Sequence, residues 1–279
     1  MTGARFSVII PAHNEAARLG ACLEALAAQR LDDTQEWEVI VVANGCSDAT
    51  AAIVREAMPL WQAAGRELRL IETEIGNKIV ALNLGDAAST SALRLYLDAD
   101  VVVGAGMLAA LIELLDRPGP RYAGARLRVP RARSRLSRLY ARFWTTLPFV
   151  ADGVTGAGLF AVNAEGRARW GEFPPVISDD GFARLNFAPP ERSCADVDYD
   201  WPISEGFQNL VRVRRRQDAG MRELAERFPA LFANAHGDRP DGREIRRLAM
   251  ADPLGFLAYV SVAMAVRLGP RAEGWARGR

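Results

Sequence analysis

With 279 residues, 49% of them hydrophobic and 25% charged, the chain has the length and composition of a soluble globular protein, built as one large domain or a domain with appendages. A formal net charge of +1 excludes a generally basic, nucleic-acid-binding chain. The charge is nevertheless uneven: the first 120 residues hold 9 basic and 16 acidic side chains and the remainder 26 and 18, so the second half is expected to face something anionic.

The chain enters at once on "RFSVIIPA", without the charged-then-apolar layout of a signal peptide. Residues 6–12, 37–43, 68–73 and 93–99 are short apolar or alternating runs that read as strands. Helical spacing fills the intervals: 15–29, with Leu19, Cys22, Leu23 and Leu26 on one face, then 48–64 and 78–88. A fourth helix is predicted after Gly104, carrying Leu108, Leu111, Ile112 and Leu115. Strand–helix alternation with short connections predicts βαβ units and a mostly parallel sheet, in which ligands bind beyond the carboxyl ends of the strands. Three polar clusters lie at those ends: "HNE" (13–15), "NGCSD" (44–48) and "DAD" (98–100). The last is the sharpest. An apolar strand there runs into two carboxylates, whose desolvation has to be offset by a cation, a basic side chain or a solvated strand end.

After Pro120 the pattern changes. Residues 121–144 carry eight arginines and no acid, a Gly-rich stretch follows at 152–162, and "PPVISDDGFARL" occupies 174–185. Residues 204–224 read as a long basic helix. The apolar stretch 253–269 is short of the ~20 residues a spanning helix needs, so no membrane crossing is expected. Two readings of it stay open. It closes the domain or contacts a second copy, giving a homodimer; or, with the Arg-rich 121–142 and the flanking Arg271, Trp275, Arg277 and Arg279, it lies on an anionic membrane surface. Cys22, Cys46 and Cys194 show no metal-ligand spacing and point to a reducing cytoplasm.

Six motifs, "VIIPAHNEA", "VIVVANGCSDAT", "GNKIVALNLG", "LYLDADV", "GAGLFAV" and "ISDDGFARL", follow one another over about residues 6 to 224. None is specific alone; in this order they resemble the family 2 glycosyltransferases. The resemblance implies a GT-A fold, an α/β architecture with a Rossmann-like, mostly parallel central sheet flanked by helices, here with a helical C-terminal extension. It also implies an inverting transfer of sugar from a nucleotide-diphosphate sugar, of UDP or GDP type, to a hydroxyl acceptor. One continuous domain is expected, with residues 1–120 as its nucleotide-sugar half and 121–279 as its acceptor half.

By the same resemblance, Asp98 and Asp100 hold Mg²⁺ or Mn²⁺ on the donor diphosphate, and hard oxygen ligands suit either ion. Pro11, Ala12, His13 and Glu15 fall where base and ribose are expected, with Asn44 and Asp48 beside them. "ANGCSD" departs from the family's D-D-G-S-x-D and leaves the base open. Lys78 is the only lysine in the chain, and the resemblance places it near the donor, where a compact ammonium fits and a planar fork does not. Gly156, Ala157, Gly158 and Arg216 complete the expected donor set. Asp180 matches the second acid of the family's pair, the catalytic base, with Asp179 orienting it or binding acceptor. A helix N-terminus capped by Ser178 would also explain these acids. His236 is a candidate third metal ligand, set against a merely structural or exposed histidine.

No tryptophan follows Arg216, so a processive polymerising synthase is not expected. Three rivals remain. A catalytically silent GT-A subunit of a glycan-assembly complex is opposed by the intact Asp98, Asp100 and Asp180. A sugar nucleotidyltransferase would need a Gly-rich N-terminal triphosphate loop. A nicotinamide dehydrogenase would need G-x-G-x-x-G after the first strand. The expected setting is cytoplasmic, peripheral on the inner face of the cell membrane, with a lipid-linked acceptor.

Overall fold

The computed structural model describes residues 6–31, 36–151, 154–235 and 241–269. The four apolar runs form strands β1 (Phe6–Ala12), β2 (Trp37–Asn44), β3 (Glu67–Thr73) and β4 (Leu93–Leu97). They pair in parallel in the order β3-β2-β1-β4. The crossovers are helices α1 (Leu19–Ala27), α2 (Thr50–Ala63) and α3 (Lys78–Ala88). β1 and β2 are buried almost throughout because structure covers both faces of the sheet, which is why they read as continuous apolar runs and do not alternate. α1 buries Leu19, Cys22, Leu23 and Leu26, the predicted face.

Two boundaries differ from expectation, and both differences shape the rim. α1 begins at Leu19 and not at residue 15, because Asn14 takes a left-handed φ of 54° and the Arg18 and Leu19 N–H groups fold back on the Glu15 carbonyl. β4 stops at Leu97. The Asp98 N–H donates to the Gly158 carbonyl at 2.8 Å, and the Val101 N–H turns back on the Asp98 carbonyl at 3.1 Å, so the chain bends at "DAD".

Beyond this turn come the short β5 (Val102–Val103), α4 (Met107–Leu115), β6 (Tyr122–Arg128), α5 (Arg135–Trp144), the one-turn α6 (Pro148–Ala151), β7 (Leu159–Val162) and the one-turn α7 (Ala164–Arg167). They are followed by α8 (Asp179–Leu185), β8 (Arg192–Asp200), the long α9 (Phe207–Arg227), α10 (Gly242–Ala251) and α11 (Pro253–Leu268). Among the described residues all eight strands join one sheet, ordered β3-β2-β1-β4-β7-β6-β8-β5. β7 runs antiparallel to both β4 and β6, β8 is parallel to β6, and β5 is antiparallel on the edge. The parallel expectation therefore holds for the first four strands and gives way to a mixed arrangement. The outer halves of β6 and β8 are charged, Arg126 pairing with Asp198 and Arg128 with Asp200 across the strands, and this masks their apolar alternation in the sequence.

One face of the sheet packs Phe6, Val8 and Ile10 against α1 and α4. The other carries an aromatic cluster in which Phe160 stacks between Tyr96 and Tyr122, with Phe173, Phe182 and Phe187 around it. A third cluster joins α5, α9 and α11 through Tyr140, Phe143, Trp144, Leu210 and Val262. Among the described residues no helix is long and apolar enough to cross a membrane. His236, Arg271, Trp275, Arg277 and Arg279 lie outside the described residues.

Candidate active site

The parallel strand ends open into a cavity of about 250 Å³. Pro11, His13, Asn14 and Glu15 line it from the end of β1, Asn44 from β2, and Asp98, Ala99 and Asp100 from the turn after β4. Lys78 enters from the first turn of α3, and Arg216 and Val213 reach in from α9. A smaller recess shares Pro11, Lys78 and Asp98 and adds Gly156, Gly158, Asp179 and Asp180. The residues singled out in the sequence are thus brought together, apart from three placed differently and His236.

Lys78 is the pivot of this site. Its Nζ lies 2.9 Å from Asp98 Oδ1 and 2.9 Å from Asp179 Oδ2. A cation in a first helical turn opposes the helix dipole, so Lys78 is held there by these carboxylates and not by local propensity. The turn itself is made by Asn77, whose Oδ1 accepts from the Ile79 and Val80 N–H groups. Burial disfavours the ammonium, but Asp179, Asp98 and Asp180 outweigh it and hold the Lys78 pKa above the ordinary lysine range. Asp179 is buried, and burial pushes its carboxyl up, with Asp180 and Asp98 adding to the effect and Lys78 opposing it. Asp180, next to it, is only half-buried; its Oδ1 accepts from Ser178 Oγ at 2.8 Å and from the Gly181 N–H at 2.7 Å. Ser178 therefore does not cap α8 with its side chain, as the helix-terminus reading requires.

Asp100 is buried, with Arg18 Nη1 3.6 Å from its Oδ2. Asp98 and Asp100 offer two hard carboxylate ligands, and among the described residues no group of three or more His, Cys, Asp or Glu side chains could hold a metal ion. That donor set fits Mg²⁺ or Mn²⁺, ions that bind through one or two carboxylates when substrate phosphates complete the shell.

At the end of the cavity beyond β1 and β2, His13 Nδ1 donates to the Asn44 carbonyl, and a Cβ added at Gly76 would lie 3.2 Å from its ring, so the imidazole is fixed by packing. The Asn44 amide nitrogen is spent on the Ala12 and Val42 carbonyls, at 2.9 and 3.4 Å, which leaves Oδ1 as its contribution to a ligand. Ala12 serves through that carbonyl, and Ala157 through its own, which accepts from Tyr199 Oη at 2.8 Å. Asp48 does not line the cavity. Its carboxylate accepts from the Thr50 N–H and hydroxyl and from the Ala16 N–H, clamping the "HNE" loop to α2. Burial pushes that carboxylate up, but these hydrogen bonds together outweigh it and hold it below the usual range.

Sequence reasoning missed one wall, made of Trp201, Pro202, Ser204 and Val213. The aromatic "VDYDWP" at the end of a charged strand is the signal that marks it. Trp201 packs at a tilt against Trp144, 5.6 Å between centroids, and Gly158 makes room for it: an added Cβ would lie 2.5 Å from Trp201 Cδ1. Gly158 also sits at φ 71°. Gly158→Ala is therefore expected to cost at least the ~1–2 kcal/mol of a left-handed non-glycine residue and to displace Trp201. Urea unfolding checks the first effect and indole fluorescence the second.

A sheet of this topology with its cavity at the bend after β4 defines a GT-A fold. The mannosyltransferase PcManGT of Pyrobaculum calidifontis, solved with GDP-Man and Mn²⁺, superposes with a TM-score of 0.61 at 22% identity over 96% of this chain and 76% of that one. Glucosyl-3-phosphoglycerate synthase of Mycobacterium tuberculosis, solved with Mn²⁺, UDP and phosphoglyceric acid, gives 0.57 at 17% identity over 81% and 78%. The chain belongs to glycosyl transferase family 2, whose profile matches residues 7–165. In sequence it is 37% identical over 94 residues to the glycosyltransferase AglE of Haloferax volcanii, a match that spans 34% of this chain and 30% of AglE.

Proposed function

We propose that the chain is an inverting glycosyltransferase that moves a sugar from a UDP- or GDP-sugar to a hydroxyl acceptor. Carrying this reading is the Lys78 bridge: one ammonium ties Asp98, on the diphosphate side, to Asp179, beside the acid that would meet the acceptor, within one continuous site. The structures of PcManGT with GDP-Man and Mn²⁺ and of the synthase with UDP and Mn²⁺ support a nucleotide-sugar donor and a divalent ion.

In this reading Asn44, His13 and Glu15 hold base and ribose, while Arg216 reaches from the acceptor half towards the diphosphate, where a guanidinium fork suits phosphate oxygens. Asp98 and Asp100 hold Mg²⁺ or Mn²⁺, which when bound offsets the charge gathering on the departing diphosphate. Asp180 takes the acceptor hydroxyl's proton as the new bond to the anomeric carbon forms, and the electron pair of the breaking bond leaves with the nucleoside diphosphate. Asp179, engaged with Lys78, positions Asp180 and does not act as the base. The lipid-linked acceptor expected from the Arg-rich second half belongs to the same reading.

The test is a thermal shift with UDP and with GDP, each with and without Mn²⁺. A nucleotide at a hundredfold excess over its Kd stabilises by about 2.7 kcal/mol. One of the two is expected to raise Tm only when Mn²⁺ is present, and Asp100→Asn is expected to abolish that shift. An undiminished Mn²⁺-dependent shift in Asp100→Asn would remove Asp100 from the metal site.

A further inference from the structure

α11 is apolar on two sides. Gly255, Ala258 and Val262 are buried against α5 and α9, where Tyr259 stacks on Tyr140 and Phe256 packs on Phe143. The opposite side exposes Leu254, Leu257, Met264 and Leu268, at 60, 61, 54 and 79% of their full surface. With Ser261 between them, their spacing of three, four, three and four residues makes a single straight stripe, about 21 Å long at 1.5 Å per residue. α10 adds Ile245 and Met250, so this corner holds six of the twelve exposed large apolar side chains among the described residues. The stripe is not a frayed end. Asp252 caps α11 at the Gly255 N–H and pairs with Arg142 of α5, and Arg215 Nη2 of α9 donates to the Ala265 carbonyl at 2.9 Å near its other end.

The charge around the stripe is predominantly basic. No acidic side chain occurs from 253 to 269, and Arg267 is exposed beside Leu268. On α10, Arg243, Arg246 and Arg247 are exposed next to Ile245 and Met250. Of the nearby acids, Asp252 pairs with Arg142, Glu244 lies 3.5 Å from Arg247, and the exposed Asp241 caps α10 at the Glu244 N–H.

We propose that this face docks on an anionic phospholipid bilayer, with α11 lying along the interface, its leucines and Met264 among the acyl chains and the arginines at the headgroups. An apolar stripe contributes through area removed from water, and each basic side chain near an anionic leaflet adds a salt-sensitive electrostatic attraction. A second copy of the chain fits less well. An isologous contact would press two faces of the same basic charge together, and one narrow stripe is small beside the ~800 Å² per partner of a standard interface. α9 carries both the platform for α11 and Arg216 at the cavity, so docking would bring the acceptor side of the site to the membrane.

The test is co-sedimentation of the full chain with vesicles of phosphatidylcholine, alone or mixed with phosphatidylglycerol, at low and high salt. Pelleting is expected with the anionic vesicles only, weakened by salt. It is expected to fall about tenfold in Leu257→Glu/Met264→Glu and by a similar factor in Arg243→Gln/Arg246→Gln. Both pairs are exposed, so Tm and the Mn²⁺-dependent nucleotide shift should stay unchanged, which separates this proposal from the assignment of the active site. Absence of pelleting with either vesicle, or undiminished pelleting by the Glu variant, would overturn it. So would a dimer in sedimentation velocity that the Glu variant splits while no vesicle binds; the stripe would then belong to a second copy.

Discussion

Asp180→Asn is expected to bind donor like the parent chain and to transfer sugar about 10²–10⁴ times more slowly, the usual span for a lost general base. Asparagine keeps the size of the side chain and an oxygen for the Ser178 hydroxyl and the Gly181 N–H, so the turn at the start of α8 survives. The loss should appear in kcat with little change in KM for the donor, because what is removed acts only as the acceptor loses its proton. Asp179→Asn separates the two acids. It takes one of the two carboxylates from Lys78 and abolishes the titration of a buried carboxyl, so it should change the pH dependence of Tm, an effect Asp180→Asn should not show. An active Asp180→Asn beside an inactive but fully folded Asp179→Asn would reverse their roles.

Lys78→Met carries the second large effect. It removes the cation that Asp98 and Asp179 share and leaves Asp180 nearby as a further like charge. Breaking a buried pair costs about 3–5 kcal/mol, and the third of the Lys78 side chain that meets solvent reduces this to roughly 1–3 kcal/mol. The deficit should depend on pH in a set direction. Asp179 has a raised pKa in the folded chain, so its contribution to stability is full at acid pH and is lost as pH rises from the ordinary carboxylate value through the folded one. Without Lys78 that pKa climbs further. The variant should therefore lie close to the parent near pH ~4 and fall progressively below it towards neutrality. Urea unfolding at several pH values, with chelator present, checks this; a deficit that shrinks as pH rises would contradict it.

Much of the cavity wall at the ends of β1, β2 and β4 was legible in the sequence for one physical reason. β1, β2 and β4 are buried on both faces, so their apolar runs stand out, and in a parallel sheet the polar residues just past them must meet at one rim. His13, Glu15, Asn44, Asp98 and Asp100 follow from that alone. What was not legible depends on partners far along the chain. The Lys78 bridge to Asp179 spans α3 and α8, and no local pattern encodes it. Asp48 has a residue type suited to a ligand, yet its carboxylate is used to clamp two loops. Trp201 and Ser204 come from the end of a strand whose charged outer face conceals its alternation. α11 read as either core or surface because it is both, one side on α5 and α9 and the other exposed.

The measurement that bears most directly on the account is release of nucleoside diphosphate from a panel of UDP- and GDP-sugars by the isolated chain, with Mn²⁺ and without added acceptor. Water can replace the acceptor hydroxyl, so at least one donor should be consumed slowly, and consumption should vanish in Asp100→Asn and fall sharply in Asp180→Asn. A chain that binds nucleotide with Mn²⁺ yet consumes no donor, with or without alcohol acceptors, would contradict catalysis and leave a silent GT-A subunit.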